Sequence, residues 1–477
     1  MSKRQNGGKR KLPGWLIFYG IGVAIVGVGV LANSASKAYA GSFQGKQAIA
    51  DMEPNNSKWG AKFTRQYASW LATQRMEGAT KFGGSETRDY LAENPQLVVV
   101  WAGNPFANMY KTPRGHFYAI EDVTATKRRN DKTPGTCWTC KSPDVPRLMA
   151  KDGVGNFYKA KFDDYIKEAV NPIGCADCHD NKTMALKITR PALVEAFERS
   201  GKDIRKASKD EMRSLVCAQC HVEYYFKGKT EKYLTFPWDD GTSAEGIEKY
   251  YEKSGFSDFT HAISGAKMIK IQHPDYEVFS ESIHAYSGVS CADCHMPKAA
   301  EGKIEFTDHR VRSPLLNIKN TCANCHEWSE EETKNRVFSI QSKNFEMQQR
   351  ALDAVVTLHL EIADAMKLGA TDAELDAPRK LVSKAQMYWD MVAANNGMGF
   401  HAPQECARVL DKSLHFASDG RIAVTRIRAK YGSLDPIVLP DISTKEKAQA
   451  YIKPFVEAQA AAIKAKEEAD KKAGGGR

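Results

Sequence analysis

The segment Cys175-Ala176-Asp177-Cys178-His179 is the most informative part of this 477-residue chain, because its cysteine and histidine spacing is repeated three more times. The other copies are Cys217-Ala218-Gln219-Cys220-His221, Cys291-Ala292-Asp293-Cys294-His295 and Cys322-Ala323-Asn324-Cys325-His326. Two cysteines at this spacing can form thioether bonds to the vinyl groups of one haem, while the adjacent imidazole binds its iron. The four copies therefore predict four covalently attached c-type haems.

Disulfides and zinc sites are the alternative interpretations of paired cysteines. Exported proteins do form disulfides, but a disulfide gives no reason for histidine to follow the second cysteine in all four pairs. Zinc sites combine Cys-x-x-Cys units with each other, or with later histidines at other spacings. The repeated histidine therefore favours haem attachment over both alternatives.

A fifth pair, Cys137-Trp138-Thr139-Cys140-Lys141, differs from the other four in one residue. Its cysteines still allow thioether attachment, but the side chain offered to the iron is an amine. Lysine binds a metal only when it is deprotonated, so the iron and a desolvated site must together remove its proton. Because such a ligand brings no gain to a simple electron carrier, we expect this haem to differ chemically from the other four.

The histidine count is compatible with this arrangement. Four of the twelve histidines lie in the attachment motifs, and the others are His116, His261, His273, His284, His309, His359, His401 and His415. Four six-coordinate haems need four of these, and a haem with an open sixth position needs none. The count does not select the ligands, and fourteen methionines are further candidates. Cys406 has no partner in the pattern, and we interpret it as a small buried apolar residue.

The first forty residues are predicted to direct export. A basic stretch through Lys11 precedes an apolar run from Trp15 to Leu31, and Ala38-Tyr39-Ala40 forms a small-x-small cleavage site before Gly41. We expect a signal peptide over residues 1–40, with a retained N-terminal anchor as the alternative. Either case predicts a periplasmic protein that is soluble or peripheral to the membrane.

Composition and charge exclude several classes of protein. A content of 42% hydrophobic and 26% charged residues is that of a globular chain, not of a disordered, collagenous or multispan membrane chain. The net charge of +10 owes much to six basic residues in the first forty positions, which contain no acid. The rest of the chain carries 62 basic and 58 acidic residues, so we expect no nucleic-acid partner.

Two regions of different character follow the export segment. Residues 41–328 are rich in glycine, proline and aromatic residues, which predicts loops, short helices and a core filled largely by haem; residues 98–101 are predicted as a short strand. From residue 329 onwards, apolar side chains recur at helical spacing. Long helices are predicted over residues 330–368, 371–395, 403–431 and 444–468, with fraying from about residue 469. The sequence thus predicts a mainly α multihaem cytochrome c fold with few short strands.

The motifs resemble those of the pentahaem cytochrome c nitrite reductases, which form ammonia from nitrite. That family combines one lysine-ligated haem with four haems on histidine motifs. The resemblance runs from about Leu97 to Lys447. Its other matching segments are Trp101-Ala102-Gly103, Pro113-Arg114-Gly115-His116, Lys141-Ser142-Pro143-Asp144-Val145, His221-Val222-Glu223-Tyr224-Tyr225-Phe226, Phe236-Pro237-Trp238-Asp239-Asp240, Gln272-His273-Pro274 and Asp441-Ile442-Ser443-Thr444-Lys445-Glu446-Lys447.

The resemblance implies a catalytic pocket and a complete set of ligands. The pocket residues over the haem of Lys141 would be Arg128, Tyr224 and His273, with Arg129 as the alternative to Arg128 because the segment before Cys137 is short. The distal ligands implied are His309 for the haem of His179, His116 for that of His221, His401 for that of His295 and His284 for that of His326. Calcium would bind the side chains of Glu223 and Gln272 and the carbonyls of Tyr224 and Lys270.

The activity implied is the six-electron reduction of nitrite to ammonium at a high-spin haem fed by four bis-histidine haems. A guanidinium and an imidazolium would attract the anion and stabilise charge on its oxygens. His273 is the expected proton donor, because an unperturbed imidazole titrates near working pH. Tyr224 would orient a bound intermediate, or donate hydrogen to it.

Two other functions and several partners remain open at this point. The alternatives are a multihaem electron carrier without substrate, and a related multihaem reductase of hydroxylamine, sulfite or tetrathionate. The expected electron donor is a quinol-linked cytochrome, either a membrane tetrahaem protein or a soluble multihaem protein. The long helices over residues 329–477 are expected to form the interface of a homodimer.

Overall fold

The structure is a computed structural model that describes residues 48–84 and 86–474, so the predicted export segment and its cleavage site lie outside the described residues. Within that part of the chain, β-structure is limited to four antiparallel two-stranded sheets. They pair Ala79–Thr80 (β1) with Gly83–Gly84 (β2), Tyr225–Lys227 (β3) with Tyr233–Thr235 (β4), Phe259–Thr260 (β5) with Lys267–Met268 (β6), and Lys298–Glu301 (β7) with Ile304–Thr307 (β8). The predicted mainly α fold with few short strands is confirmed.

The region before Trp328 consists of short elements, as expected. Its described α-helices are Asn56–Gly60, Thr64–Leu71, Tyr90–Glu93, Gln96–Val100, Ala119–Ala125, Val145–Asp152, Val154–Lys159, Cys175–Cys178, Pro191–Arg199, Lys209–Ala218, Ala244–Ser254, Asp275–Ser280, Ile283–Tyr286 and Cys291–His295. Its 3-10 segments are Ala72–Arg75, Pro105–Ala107, His116–Tyr118, Gly135–Trp138, Phe162–Tyr165, Ile204–Lys206, Pro314–Leu316, Ile318–Asn320 and Cys322–Asn324. Such elements leave many loops in which cofactors can lie.

Four long helices follow: the first over Glu330–Lys367, the second over Asp372–Ala393, the third over Pro403–Lys430 and the fourth over Lys445–Gly474. The first three agree with the predicted ranges to within two residues. The fourth begins one residue after its predicted start and extends to Gly474, and fraying from about residue 469 stays a prediction. Across the described part of the chain, no helix has both the length and the apolar character needed to cross a membrane.

The turn between the first and second long helices contains the predicted end and start signals. Thr371 accepts a hydrogen bond from the Glu374 amide, while its own amide donates to the Glu374 carboxylate. Gly369 just before it has a φ of +99°, a left-handed conformation that glycine adopts easily. These residues end the first long helix and start the second within a short turn.

The predicted strand at residues 98–101 is wrong. The structure places Val98, Val99 and Val100 in the helix Gln96–Val100, and all three side chains are fully buried. They belong to the largest hydrophobic cluster, which also includes Leu352 of the first long helix. A short apolar run that is buried on every side shows no periodicity, so the sequence did not distinguish a helix from a strand.

A second hydrophobic cluster surrounds the cysteine pair that precedes Lys141. The Trp138 indole stacks on the Phe162 ring with centroids 4.2 Å apart, and its Nε1 donates to the Phe162 carbonyl at 2.9 Å. Side chains therefore contribute more of the core in this region than the sequence led us to expect. The packing fixes the Cys-Trp-Thr-Cys-Lys turn firmly in the fold.

Candidate active site

The ten paired cysteines are arranged for attachment to a bound group. All are free, nine are partly exposed and Cys325 is fully exposed, whereas the unpaired Cys406 is buried as predicted. The pairs at Cys175 and Cys291 each lie in one helical turn, which places the two sulfur atoms near each other without joining them. Neither a disulfide nor a cluster of three metal-binding side chains occurs in residues 48–84 and 86–474.

Three of the histidine pairs implied by the family resemblance face each other. An iron held by two imidazole nitrogens at about 2 Å separates the ring centroids by roughly 6 Å. The measured centroid distances are 6.1 Å for His179 and His309, 6.4 Å for His295 and His401, and 6.4 Å for His284 and His326. These separations fit a haem iron between the rings.

Hydrogen bonds at Nδ1 orient the ligand imidazoles. The bonds join His179 to the Met184 carbonyl at 2.9 Å, His295 to the Arg312 carbonyl at 3.0 Å, His309 to the Thr307 carbonyl at 2.8 Å and His221 to the Asp275 carboxylate at 3.0 Å. Each acceptor requires the Nδ1–H tautomer, which leaves Nε2 free to bind a metal. The donor chemistry therefore fits c-type haem at these motifs.

His221 differs from the other ligands in its neighbours. Its ring centroid lies 6.2 Å from that of His273, the implied pocket residue. His116, the implied distal ligand, interacts with His221 electrostatically: burial, together with the charges of His221 and Lys141, lowers the pKa of His116 to about 4. The side chain of His221 is 48% exposed.

Electrostatic interactions between cysteine thiols indicate which attachment motifs are neighbours. The interacting pairs are Cys140 with Cys220, Cys217 with Cys291, Cys178 with Cys220 and Cys294 with Cys322. The motif of His221 therefore borders three others, including the motif of Lys141. The haem attached there would stand at the branch point of an electron relay.

Arg128 and Tyr224 lie together beside the fifth cysteine pair. The half-buried Arg128 guanidinium lies 4.2 Å above the Phe106 ring and interacts electrostatically with Tyr224 and Cys137. Burial lowers the pKa of Arg128, and burial raises the pKa of Tyr224 well above its usual range. No carboxylate forms an ion pair with Arg128 within the described residues, so its charge is available to an anion.

Arg129, the alternative pocket residue, is engaged elsewhere. Its guanidinium lies 4.2 Å above the Phe162 ring and forms an ion pair with Asp163 at 3.4 Å. Because a carboxylate already partners this charge, the geometry favours Arg128 as the arginine of the pocket.

His273 lies in surroundings that disfavour its charged form. Burial, together with the charges of Lys141 and His221, lowers the pKa of His273 to about 3. Its Nδ1 is buried and has no hydrogen-bond partner in the described chain. The role of His273 as proton donor stays a prediction.

The implied calcium ligands lie next to this pocket. The Glu223 carboxylate is fully buried, accepts hydrogen bonds from the Tyr251 hydroxyl at 2.7 Å and from the Gln272 amide at 2.5 Å, and has no ion pair among the described residues. Burial raises the pKa of Glu223 well above its usual range, and Asp258 raises it further. Gln272 Nε2 donates to the Lys270 carbonyl at 2.8 Å. A buried carboxylate without a cation, beside carbonyl oxygens, fits Ca²⁺.

Replacing Glu223 with glutamine is expected to weaken calcium binding by at least about 10-fold. A proton competes with calcium for this carboxylate, so the calcium affinity of the wild-type protein should fall as the pH is lowered. Metal analysis after dialysis against buffered calcium measures both effects. Glu248→Gln is the control, because that carboxylate accepts from Tyr388 and pairs with Lys384. Equal calcium retention in the two variants would contradict the assignment.

Two functional candidates were missed in the sequence. Asp275 contacts His221, as described above. In the sequence, nothing distinguishes Asp275 from any other aspartate that follows a proline. Arg190 is 2% exposed and donates to the Thr139 carbonyl at 2.6 Å, the Ser142 carbonyl at 2.9 Å and the Asp177 carboxylate at 2.5 Å. Asp177 lies at one of the two positions of the Cys-x-x-Cys-His motif that can hold any residue. Its presence there was the only sequence signal for this buried ion pair.

Three histidines serve no ligand role in this arrangement. His261 and His359 stack with centroids 3.7 Å apart in the core, where His261 Nε2 bonds to the Val99 carbonyl and His359 Nε2 to Gln386. His415 is exposed beside Asp419. The histidines left over by the count are therefore structural or on the surface.

Comparisons with known proteins agree with this geometry. The family model for cytochrome c552 matches residues 55–474. Cytochrome c-552 of Parabacteroides distasonis is 47% identical over 450 residues, covering 92% of this chain and 91% of that protein, and cytochrome c-552 of Bacteroides fragilis is 48% identical with the same coverage. The catalytic subunit of cytochrome c nitrite reductase from Desulfovibrio desulfuricans, a protein with two calcium sites, matches with a TM-score of 0.77 and 32% identity, covering 82% of this chain and 92% of that one.

Proposed function

The chain belongs to the cytochrome c552 family, and from this membership we propose that it is a pentahaem nitrite reductase that forms ammonium at the haem of Lys141. The supporting observation is the convergence of Arg128, Tyr224 and His273 beside the one cysteine pair that lysine follows. The positive charge of a guanidinium that has no carboxylate partner suits a small anion. A protein that only carries electrons needs no such charge. The similarity to the Desulfovibrio desulfuricans enzyme supports nitrite as that anion.

The overall reaction consumes one nitrite, eight protons and six electrons, and it produces one ammonium and two waters. When bound, the haem at Lys141 supplies an open iron position and the electrons that reach it from the four bis-histidine haems. The protein has to attract the anion, hold it in one orientation and deliver protons to the departing oxygens. Arg128 provides the attraction and a fixed positive charge where negative charge develops on oxygen.

Tyr224 and His273 supply hydrogen-bond donors to the substrate. Because burial raises the pKa of Tyr224 well above its usual range, the phenol keeps its proton and donates to an oxygen. His273 would donate a proton to the substrate through one ring nitrogen while its other ring nitrogen takes up a proton, so the ring ends each transfer in the state in which it began. Calcium at Glu223 and Gln272 would hold Tyr224 in place and add positive field to the pocket.

Anaerobic turnover with reduced methyl viologen and ¹⁵N-nitrite tests this function. We expect ¹⁵N-ammonium in a one-to-one ratio to the nitrite consumed, with six viologen radicals oxidised per nitrite and no free nitric oxide or hydroxylamine. A loaded protein that oxidises no viologen with nitrite would be an electron carrier. A higher kcat/KM with hydroxylamine, sulfite or tetrathionate would identify a related reductase instead.

The cellular setting is also part of the proposal. We infer a periplasmic enzyme that receives electrons from a quinol-linked multihaem cytochrome, either membrane-bound tetrahaem or soluble. Homodimer formation through the long helices is supported by a groove of mixed polarity, in which Ile422 is 50% exposed. The groove residues are Ala354, Leu414, Ser418, Arg421, Ile422, Thr425 and Arg426. Analytical ultracentrifugation of the loaded protein measures the oligomeric state.

A further inference from the structure

Asp275 is a buried carboxylate held in place by neutral donors. Its Oδ2 accepts from His221 Nδ1 at 3.0 Å and from Asn396 Nδ2 at 2.7 Å, and its Oδ1 accepts from the Asn396 amide at 2.8 Å and from Asn395 Nδ2 at 3.0 Å. Its side chain is 12% exposed, and no lysine or arginine of the described chain forms an ion pair with it. The negative charge therefore faces His221 without a competing cation.

This bond distinguishes His221 from the other ligands whose Nδ1 is hydrogen-bonded. His179, His295 and His309 all donate to backbone carbonyls, which are neutral, and His401 Nδ1 lies 3.4 Å from the neutral side-chain amide of Asn395. A carboxylate draws the Nδ1 proton more strongly and makes the imidazole a more electron-rich ligand. Such a ligand stabilises ferric over ferrous iron, and second-shell hydrogen bonding is one of the means by which proteins set haem potentials.

The position of His221 gives this difference a role in electron transfer. Its motif borders the motif of Lys141 through Arg190, which donates to the Thr139 carbonyl and, from its amide, to the Gln219 side chain. The next motif lies close as well, because the Cys291 amide donates to Ser214 at 3.1 Å. Asp275 Oδ1 also lies 3.9 Å from His401 Nδ1, which is beyond hydrogen-bonding distance. The hydrogen bond of the carboxylate therefore falls on one haem, the one adjacent to the catalytic pocket, and only the weaker electrostatic effect of its charge reaches His401.

We propose that Asp275 is a positioning residue that lowers the reduction potential of the haem bound by His221, so that this haem is a strong reductant for the haem of Lys141. The inference rests on the ligation and function proposed above. In each transfer, the ferrous haem at His221 loses one electron, the ferric haem at Lys141 gains it, and the external cytochrome donor replaces it. No proton has to leave Asp275 or His221.

Asp275→Asn tests the proposal, because asparagine keeps the shape of the side chain and removes its charge. In a potentiometric titration followed by electron paramagnetic resonance, we expect one of the five haems to shift to a higher potential and its low-spin signal to change. Steady-state kcat should fall about 10- to 100-fold while KM for nitrite stays unchanged. Unchanged potentials in a variant with all five haems attached would overturn the inference.

Three further variants separate the charge effect from a general structural one. Asp275→Glu retains the charge and should restore the low potential. Asn396→Ala removes one competing donor from Asp275 Oδ2, so the same haem should shift to a lower potential; this variant tests the sign if Asp275→Asn does not fold. Glu248→Gln removes a carboxylate outside the attachment motifs that accepts from Tyr388 and pairs with Lys384 but bonds to no histidine, and should leave the low-spin signals unchanged.

The potential measurement also separates this inference from the proposed function. It needs no nitrite, so a shift in Asp275→Asn would support the inference even in a protein that fails to reduce nitrite. Nitrite reduction with unchanged potentials would leave the function intact and remove the inference. An equal shift in Glu248→Gln would likewise remove it, because a general effect of charge would then account for the result.

Discussion

Arg128→Gln lowers kcat/KM for nitrite by roughly 10²- to 10³-fold, the expected loss when a positive group facing developing charge is removed. The Arg128 guanidinium is half-buried, lies 4.2 Å from the Phe106 ring centroid and has no carboxylate partner in the described chain. Glutamine keeps hydrogen-bonding capacity but not the charge. Viologen-linked turnover measures the effect, and mass spectrometry of the variant should still show five attached haems.

Arg129→Gln is the matched control, because it changes the neighbouring residue in the same way. Arg129 pairs with the largely exposed Asp163 and stacks on Phe162, so its loss should cost at most about 1 kcal/mol of stability and leave kcat/KM close to that of the wild type. If Arg129→Gln lost turnover and Arg128→Gln kept it, the assignment of the pocket arginine would have to be reversed.

Asp390→Asn destabilises the folded protein by about 3–5 kcal/mol, the typical cost of leaving one partner of a buried ion pair without its counterion. Lys270 Nζ lies 2.9 Å from the Asp390 carboxylate, and the two side chains are 2% and 0% exposed. The Trp101 ring centroid is 4.7 Å from the ammonium and supplies only part of the lost compensation. Asparagine still accepts a hydrogen bond from the Ile271 amide.

Urea unfolding of the haem-loaded protein measures this loss as a lower midpoint at unchanged slope. Asp376→Asn is the control, since Asp376 pairs with Lys380 at 2.8 Å on an exposed helix surface and contributes about 0.5 kcal/mol or less. Added calcium should recover part of the stability of Asp390→Asn, because the Lys270 carbonyl belongs to the candidate calcium site. A midpoint no lower than that of Asp376→Asn would contradict the prediction.

The features that were predicted correctly are those encoded by local spacing. Cysteine and histidine positions identified the family, which the comparisons confirm, and Thr371 with Glu374 marked the start of the second long helix. The predicted strand failed because spacing does not reveal burial. Val98 to Val100 show no period because every face of these residues is covered.

The contacts between distant segments were equally invisible in the sequence. Asp275 and His221 are 54 positions apart, and Arg190 reaches carbonyl groups 48 and 51 positions before it. The variable residues of an attachment motif are usually ignored, yet Asp177 and Gln219 each make hydrogen bonds to Arg190. Only the folded chain shows which polar groups act together.

The hydrogen bonds of Arg190 have a consequence for biogenesis. This one side chain and its amide join Thr139 and Ser142 beside the first cysteine pair, Asp177 in the second and Gln219 in the third. These hydrogen bonds can all form only when the three attachment segments have reached their final positions. A chain that misses one of these haems is left with a buried guanidinium short of acceptors, a costly defect. Incompletely matured chains are therefore expected to stay loose around Arg190, which exposes them to proteolysis before they can take part in electron transfer.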